Sequence, residues 1–533
     1  MSSNLSYNTS KDKSLQKALN RFYNSNEKHW RRFDNKKKGK LKDGHILVDC
    51  LTDHPAYIVS HCVIGKILSE KENCDCIGLT SKRDKKISNL CDSYRFRKTL
   101  ELNVSRINHL ANPINLIKAW ALFRNINTKK QLLDLKTNGI LVGDLIYNST
   151  LENTKEGTVN VNSMALLMNI YRCILYINYF ENLLSNYKFR GIVAGHLFYI
   201  PTGTLVRLAL NRGIAVYSRY KGPVEIGVKK YKKPTDSKVH QTRVDPELIK
   251  LVEAKIPKRA EEMGTRVLKS RFQGKSSEVG AINAFNRKKL KLSRKKLVAE
   301  IGLDEDKPVV CIMSHIFRDA PHSNHRALFE DYQIWLEETF KHIKSIHDVN
   351  WIIKPHPSEF YYPQKLYAKD IAEKYGGKNL KFIGNHINTN ALFNIVDIIL
   401  TAKGSAGLEF PCFGIPSILV SEAFYSGFGF NIEPSSKEEY LNILSNIQKV
   451  QKLKRQDIRK ARIVAFVNYC LTRVECEIIP LISQKGDYDE ETAWQEAEKL
   501  VRKINIEETK FYEYMQDFLD SDRKNLINLG YLR

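Results

Sequence analysis

The feature that most constrains this chain is an alternation of short apolar strands with helix-period stretches, and it occurs twice. The first run opens at HILVDCL (45–51), passes through DHPAYIVSHCVIGKILSEK and reaches a second apolar strand, CDCIGLTS (74–81). Helical patterns fill about 105–190. The alternation then resumes with GIVAG, a helix carrying Leu205, Leu208 and Ala209, and GIAVYS, within 189–219. The second run begins at KPVVCIMSHI (307–316). It continues through a helix at 328–346, the strand NWIIKPHP (350–357), a helix near 364–375, LKFIG (380–384), a short helix at 389–395, DIILTA (397–402) and GIPSILV (414–420). Parallel strands need crossover connections, and helices supply them, so each run predicts a doubly wound α/β unit. The expected fold is α/β, with two Rossmann-like domains facing across a cleft. A chain of 533 residues also exceeds what one core organises.

The expected divisions are a basic extension at 1–44, a first Rossmann-like domain at 45–220, a basic helical linker at 221–304, a second Rossmann-like domain at 305–445, and C-terminal helices at 446–533. Charge is concentrated outside the two domains. Residues 1–45 carry a net +8 and residues 221–300 a net +13, against +26 for the whole chain. That balance suits an anionic partner: a nucleic acid, an anionic membrane surface, or an acidic substrate. No helix-turn-helix, zinc-finger or RNA-recognition signature is visible, so no specific nucleic-acid partner is expected. The start MSSNLSYNTSKDKS lacks the apolar core of a signal peptide. The most apolar stretch, 164–180, is broken by Asn169, Arg172 and Asn178 and reads as a buried helix, short of a membrane span. A cytoplasmic protein, peripheral at most on the inner membrane face, is expected. Ten cysteines are scattered without paired CxxC motifs, which predicts free thiols and no zinc.

In open parallel sheets, ligands bind beyond the carboxyl ends of the strands. Three strand ends carry chemistry in the second run. NWIIK runs into Pro355-His356-Pro357, where proline on both sides ends the strand and presents His356 beside Lys354; both can donate hydrogen bonds to a phosphate. DIILTA ends at Gly404-Ser405-Ala406-Gly407, small residues that let helix-start amides approach an anion, with Glu409 one turn in and able to accept from ribose hydroxyls. VVCIM ends at SHIFRDAPHSNH, which holds His315, Arg318, Asp319, His322 and His325. Arg318 can pair with a carboxylate or phosphate and Asp319 can take a proton. The histidine spacing matches no standard metal set. In the first run, the loop after HILVDCL carries Asp49, Asp53 and His54, and the loop after GIVAG carries His196 and Tyr199.

The combination of KPHPSE (354–359) and KGSAGLEFPCFGIPSI (403–418), with SHIFRDAP and DYQIWLEETF upstream and AFYSGFGFNIEPSSKEEYLNIL (423–444) downstream, resembles the capsule polysaccharide biosynthesis family. The likeness covers roughly 305–445. It implies a glycosyltransferase of the two-Rossmann GT-B fold, with the donor in the second domain and the acceptor, a glycan or glycolipid, in the first. Some relatives use CMP-activated Kdo or other acidic nonulosonic sugars, which implies a CMP-linked donor, no resident cofactor and no metal. Diphosphonucleotide sugars and CDP-alditol donors are the alternatives. Carried over, His356 and Ser405 bind the donor phosphate and Glu409 the nucleoside. Donor contacts are expected from His315, Arg318, Lys354, His356, Pro357, Gly404, Ser405, Ala406, Gly407 and Glu409. An inverting transfer needs one general base; Asp53, His54, His196 and Asp319 are all candidates.

Overall fold

A computed structural model describes residues 9–35, 41–51, 55–81, 85–102, 113–222, 224–276, 278–286, 288–290, 293–324, 326–479 and 489–533. Twelve strands are labelled here. Those of the first sheet are β1 (His45–Asp49), β2 (Asp75–Ser81), β3 (Lys98–Leu102), β4 (Phe189–Ala194), β5 (Val216–Lys221) and β6 (Glu225–Tyr231). The second sheet holds β7 (Val309–Met313), β8 (Asn350–Lys354), β9 (Leu380–Phe382), β10 (Ile398–Thr401) and β11 (Ser417–Leu419). The short β12 (Val474–Glu475) returns to the first sheet.

Strand order is β12-β6-β5-β4-β1-β2-β3 in the first sheet and β9-β8-β7-β10-β11 in the second. Every pairing in the second sheet is parallel. In the first, β1 to β5 are parallel, while β6 and β12 add antiparallel edges. Counted along the chain, the five parallel strands of each sheet therefore run 3-2-1-4-5. Both domains are Rossmann-like. In each, the winding reverses between the first and fourth strands: between β1 and β4, and between β7 and β10. That switch point opens a crevice at the strand ends. β8 is buried along its whole length, as a strand covered on both faces must be.

The helices that matter below are α1 (Thr9–Asn35), α2 (Pro55–Lys71), α3 (Pro113–Phe123), α4 (Met164–Asn186), α5 (Pro257–Phe272), α6 (Ala406–Glu409), α7 (Arg455–Phe466), α8 (Glu490–Lys503) and α9 (Lys510–Asp520). Ser163 caps α4 by accepting from the Leu166 amide, which supplies one of the acceptors a helix start lacks. As expected, α4 is a buried helix. Among the described residues, no helix is long and apolar enough to cross a membrane.

Three segments differ from the sequence reading. The stretch 221–304 showed no strand signal, yet it supplies β6. Lys229 and Lys230 disguise that strand. Both are buried, and Lys229 Nζ reaches the Arg243 carbonyl at 2.9 Å, so the stems pack while the ammonium groups find carbonyl oxygens. The basic extension is a core helix: Phe22 and Trp30 of α1 are buried, and Trp30 Nε1 donates to Asn26 Oδ1 at 3.0 Å. The last two α-helices of the C-terminal segment join the first domain. α8 packs on α1 and α9 on α2, within the first domain's core. α7 crosses α5 so closely that a Cβ on Gly264 would meet the Arg462 carbonyl at 2.0 Å.

Candidate functional site

The ends of β7, β8 and β10 converge on one cavity of about 170 Å³, lined by His315, Lys354, Pro355, His356, Pro357, Thr401, Gly404, Ser405, Ala406 and Glu409. Eight of the ten expected donor contacts therefore meet, at the switch point of the second sheet. The proline-bracketed turn places His356 with its Nδ1 accepting the Ser358 amide at 3.2 Å. The proton of the neutral ring is then on Nε2. Burial pulls this histidine down to about 4, against the opposing pull of Asp319, so it is a neutral hydrogen-bond donor near neutral pH. Lys354 gives hydrogen bonds to the carbonyls of Ile387 (2.9 Å) and Gly384 (3.4 Å). Burial, with Lys289 nearby, lowers its ammonium to about 8.

The small-residue loop has a specific reason for its glycine. Thr401 Oγ1 accepts the Gly404 amide at 3.2 Å, and a Cβ on Gly404 would lie 2.9 Å from that oxygen. Thr401 Oγ1 is also 3.2 Å from His315 Nε2, which accepts the Lys403 amide at 3.3 Å. His315 stacks on Tyr332, with ring centroids 4.6 Å apart. Burial, with His356 and Lys403 nearby, holds it well below the usual histidine range. It is a positioning group for the loop as well as part of the wall. The helix that follows is α6, only four residues long, so its dipole adds little. What it offers is the amides of Ser405 and Ala406, which as the first of the helix have no intrahelical acceptor.

Two expected contacts fall elsewhere. Arg318 ion-pairs with Glu152 of the first domain and lies over the Tyr362 ring, 5.6 Å from its centroid. Its charge is used to join the domains, outside the cavity. Gly407 packs against Tyr425, whose hydroxyl a Cβ would meet at 2.1 Å, and its carbonyl accepts from Asn431; its role is close packing. Glu409 does line the cavity, but Arg271 Nη2 takes one of its oxygens at 3.2 Å. Burial raises this carboxyl against the Arg271 charge.

Arg271 and Glu278 form a roof that the sequence did not reveal. Arg271, from α5, bridges Glu278 (2.7 Å) and Glu409, and its guanidinium lies over Tyr469 at 4.2 Å. Glu278 also pairs with Arg473. Burial opposes its charge, but Arg271 and Arg473 outweigh that and hold it below the ordinary range. Ala281, Ala284 and Phe285 complete the roof with apolar surface. No local pattern marks these residues, because Glu409, Tyr469 and Arg473, which complete the cluster, lie more than a hundred positions away.

A second cavity, of about 300 Å³, adjoins the first and shares His315. Its walls come from both domains: His196 and Tyr199 follow β4, while Asp319, Tyr332 and Lys403 belong to the second domain. Two of the four candidate bases, His196 and Asp319, are thus brought together here. Asp53 and His54 lie outside the described residues, as does His325. His240, also unforeseen, stacks on Phe198 at 4.7 Å. Lys403 donates to the Ala320 carbonyl at 2.8 Å and to Ser323 Oγ at 2.5 Å. Burial lowers its ammonium to about 8, with Asp319 opposing. Behind His196, the buried carboxylate of Asp49 accepts from Thr202 Oγ1 (3.0 Å) and the Leu51 amide (3.0 Å).

The remaining histidine of the loop, His322, is 2.7 Å from the Glu330 carbonyl through Nε2 and sits edge-on to Tyr147. Among the described residues, metal-ligand spacing occurs at Cys50, Cys62 and Cys91, in the first domain's core, with no fourth His, Cys, Asp or Glu in the group. It lies apart from both cavities.

No protein-family model matches the chain, and no curated protein matches it. Solved structures do resemble it. The Thermosulfurimonas dismutans KpsC beta Kdo 2,4 transferase is 14% identical at a TM-score of 0.35, over 54% of this chain and 82% of that one. The beta Kdo 2,7 transferase of the same KpsC is 14% identical at 0.34, over 61% and 89%. A glycosyltransferase from Rickettsia africae ESF-5 is 10% identical at 0.27, over 90% and 100%. Scores this low carry no function across, so the functional reading rests on the two cavities themselves.

Proposed function

We propose that this protein is a glycosyltransferase of the two-Rossmann type. It transfers an acidic sugar from a CMP-linked donor to a glycan or glycolipid acceptor in bacterial surface polysaccharide synthesis. The observation that carries the reading is the pair of adjoining cavities at the switch point of the second sheet, joined through His315.

In this reading the nucleotide phosphate lies in the smaller cavity, against the Ser405 and Ala406 amides, His356 Nε2–H and the Lys354 ammonium. These are fixed donors in a water-poor site, the arrangement that stabilises charge on a leaving phosphate without reorganisation. The acidic sugar projects past His315 into the larger cavity, where the Lys403 ammonium offers its carboxylate a partner. Asp319, the one carboxylate lining that cavity among the described residues, takes the proton of the acceptor hydroxyl as the new bond forms. His196 approaches the same space from the first domain and orients the acceptor. Inversion at the anomeric carbon follows from attack opposite the leaving phosphate.

The test is thermal unfolding with CMP, CDP and UDP. A ligand that binds only the folded state raises the melting temperature. CMP is expected to raise it most, and His356→Ala to remove the rise. No shift with any of the three nucleotides would sink the donor cavity. A larger shift with UDP or CDP would move the donor to a diphosphonucleotide sugar or a CDP-alditol.

A further inference from the structure

The helix α3, PINLIKAWALF, is attached to the molecule by a narrow stripe. Asn115 and Ala119 are buried, and Asn115 Oδ1 accepts from Asn178 of α4 at 3.1 Å. The opposite side is apolar and in water: Ile114 is 58% exposed, Leu116 49%, Ile117 64% and Trp120 51%. At about 100° per residue, these four side chains fall on one continuous face. An ordinary surface helix turns its apolar stripe inward and its polar face out. This one is apolar toward solvent, so it is built to meet a second apolar phase.

The charge around that face selects the occupant. Residues 113–127 contain the exposed Lys118 and Arg124 and no aspartate or glutamate. The Arg124 guanidinium lies over the Trp120 ring, 4.8 Å from its centroid. A second copy of this chain would oppose the same cations to themselves. An anionic bilayer satisfies both features, taking the aliphatic side chains and the indole at its interface and the cations at its headgroups. We propose that the outer face of α3 docks the protein on an anionic lipid surface. The basic segments that first suggested a membrane contact are less suited to it, since Thr9–Asn35 and Glu225–Tyr231 are folded into the first domain. The proposal does not depend on which donor the site takes.

The molecule carries its own reporter. Of five tryptophans, Trp30, Trp335, Trp351 and Trp494 are buried, which leaves Trp120 in contact with solvent. The full-length protein is mixed with vesicles of phosphatidylcholine alone or with phosphatidylglycerol added. On the anionic vesicles the tryptophan emission is expected to shift to the blue and to lose its quenching by acrylamide, with reversal at high salt. The double variant Ile117→Ser/Trp120→Ser should lose vesicle cosedimentation at least tenfold, with unfolding temperature and CMP response unchanged. Lys118→Glu/Arg124→Glu should weaken binding to the anionic vesicles alone. The proposal falls if neither vesicle is bound, if binding leaves acrylamide quenching intact, or if the serine variant sediments like the parent. It also falls if light scattering finds a dimer that the serine variant converts to monomer, which would give the face to a second copy.

Discussion

The two sheets share one winding order, yet they use their switch points in opposite ways. In the first sheet several polar groups there bond to one another, while His61 Nε2 is buried with no hydrogen-bond partner among the described residues. Asp49 is bonded to Thr202 and the Leu51 amide, and His61 Nδ1 is 2.6 Å from the Asp49 carbonyl. Burial raises Asp49 to about 6 and lowers His61 to about 3, so both are held toward their neutral forms. In the second sheet the corresponding loops line two cavities with amides, an imidazole and two ammonium groups, the ammonium groups also bonded to backbone carbonyls. The same topology thus gives differently lined crevices in the two domains. Topology supplies the crevice; the residues at the strand ends decide whether a ligand is needed to complete it.

The sharpest way to break that contrast is at Asp319, which belongs to the second domain but faces the first. Asp319→Asn keeps size and polarity while removing the base. Turnover is expected to fall by about 10²–10⁴-fold, the usual worth of a positioned acid or base, with the CMP-induced thermal shift retained. If turnover stays within a few-fold and His196→Ala is the inactive variant, the base comes from the first sheet and the division of labour is reversed.

The roof tests whether the donor cavity is a scaffold that exists before the ligand. Arg271→Met leaves Glu409 buried without its cationic partner. Losing one member of a buried ion pair costs about 3–5 kcal/mol, read as a lowered urea midpoint. The expected signature is lost stability with catalysis per folded molecule largely kept. A variant of parental stability would mean that the roof is open to water.

His356→Ala acts on the ligand instead. A hydrogen bond to a charged group is worth about 1.5–3 kcal/mol, or roughly 10- to 150-fold in the dissociation constant for CMP. The urea midpoint should move little, because the ring has one internal partner, the Ser358 amide. A variant that binds CMP as the parent does would place the phosphate elsewhere.

Much of the second sheet is legible in the sequence. The strands of the second sheet are apolar runs with helices between them, and the His-Pro turn and the Gly-Ser loop lie at strand ends by necessity. What escaped was long-range. β6 carries two lysines whose stems are buried, so its alternation reads as solvated. Arg318 shows its charge in the sequence but not its partner, Glu152, which took it out of the donor set. Arg271 and Glu278 look like ordinary members of a charged linker until α5 folds over the cavity. Gly407 and Gly404 look alike in the motif, and only the position of Tyr425 against that of Thr401 separates packing from presentation.

The smallest expected effect is the pH dependence, and its sign separates the lysines from the histidine. Lys354 and Lys403 are each lowered to about 8, chiefly by burial. Below that pH they are ammonium groups and attract phosphate and carboxylate; above it the attraction fades. The CMP phosphate itself takes its second negative charge at about pH 6, so affinity is expected to rise from pH 5.5 to 7 and then to weaken between 7.5 and 9, by at most about tenfold per pH unit for each proton linked to binding. His356, at about 4, is neutral throughout and adds no slope. Stability should move the other way. Between about pH 8 and 10.5 the unfolded chain holds protons that the native lysines have released, so unfolding free energy from these two groups rises with pH. Calorimetric titration with CMP, beside urea unfolding over the same range, checks both slopes. Affinity that already weakens between pH 6 and 7 would put a charged histidine at the phosphate. The second sheet's switch point would then be a titrating site, unlike the neutral imidazole that burial enforces at His61 in the first.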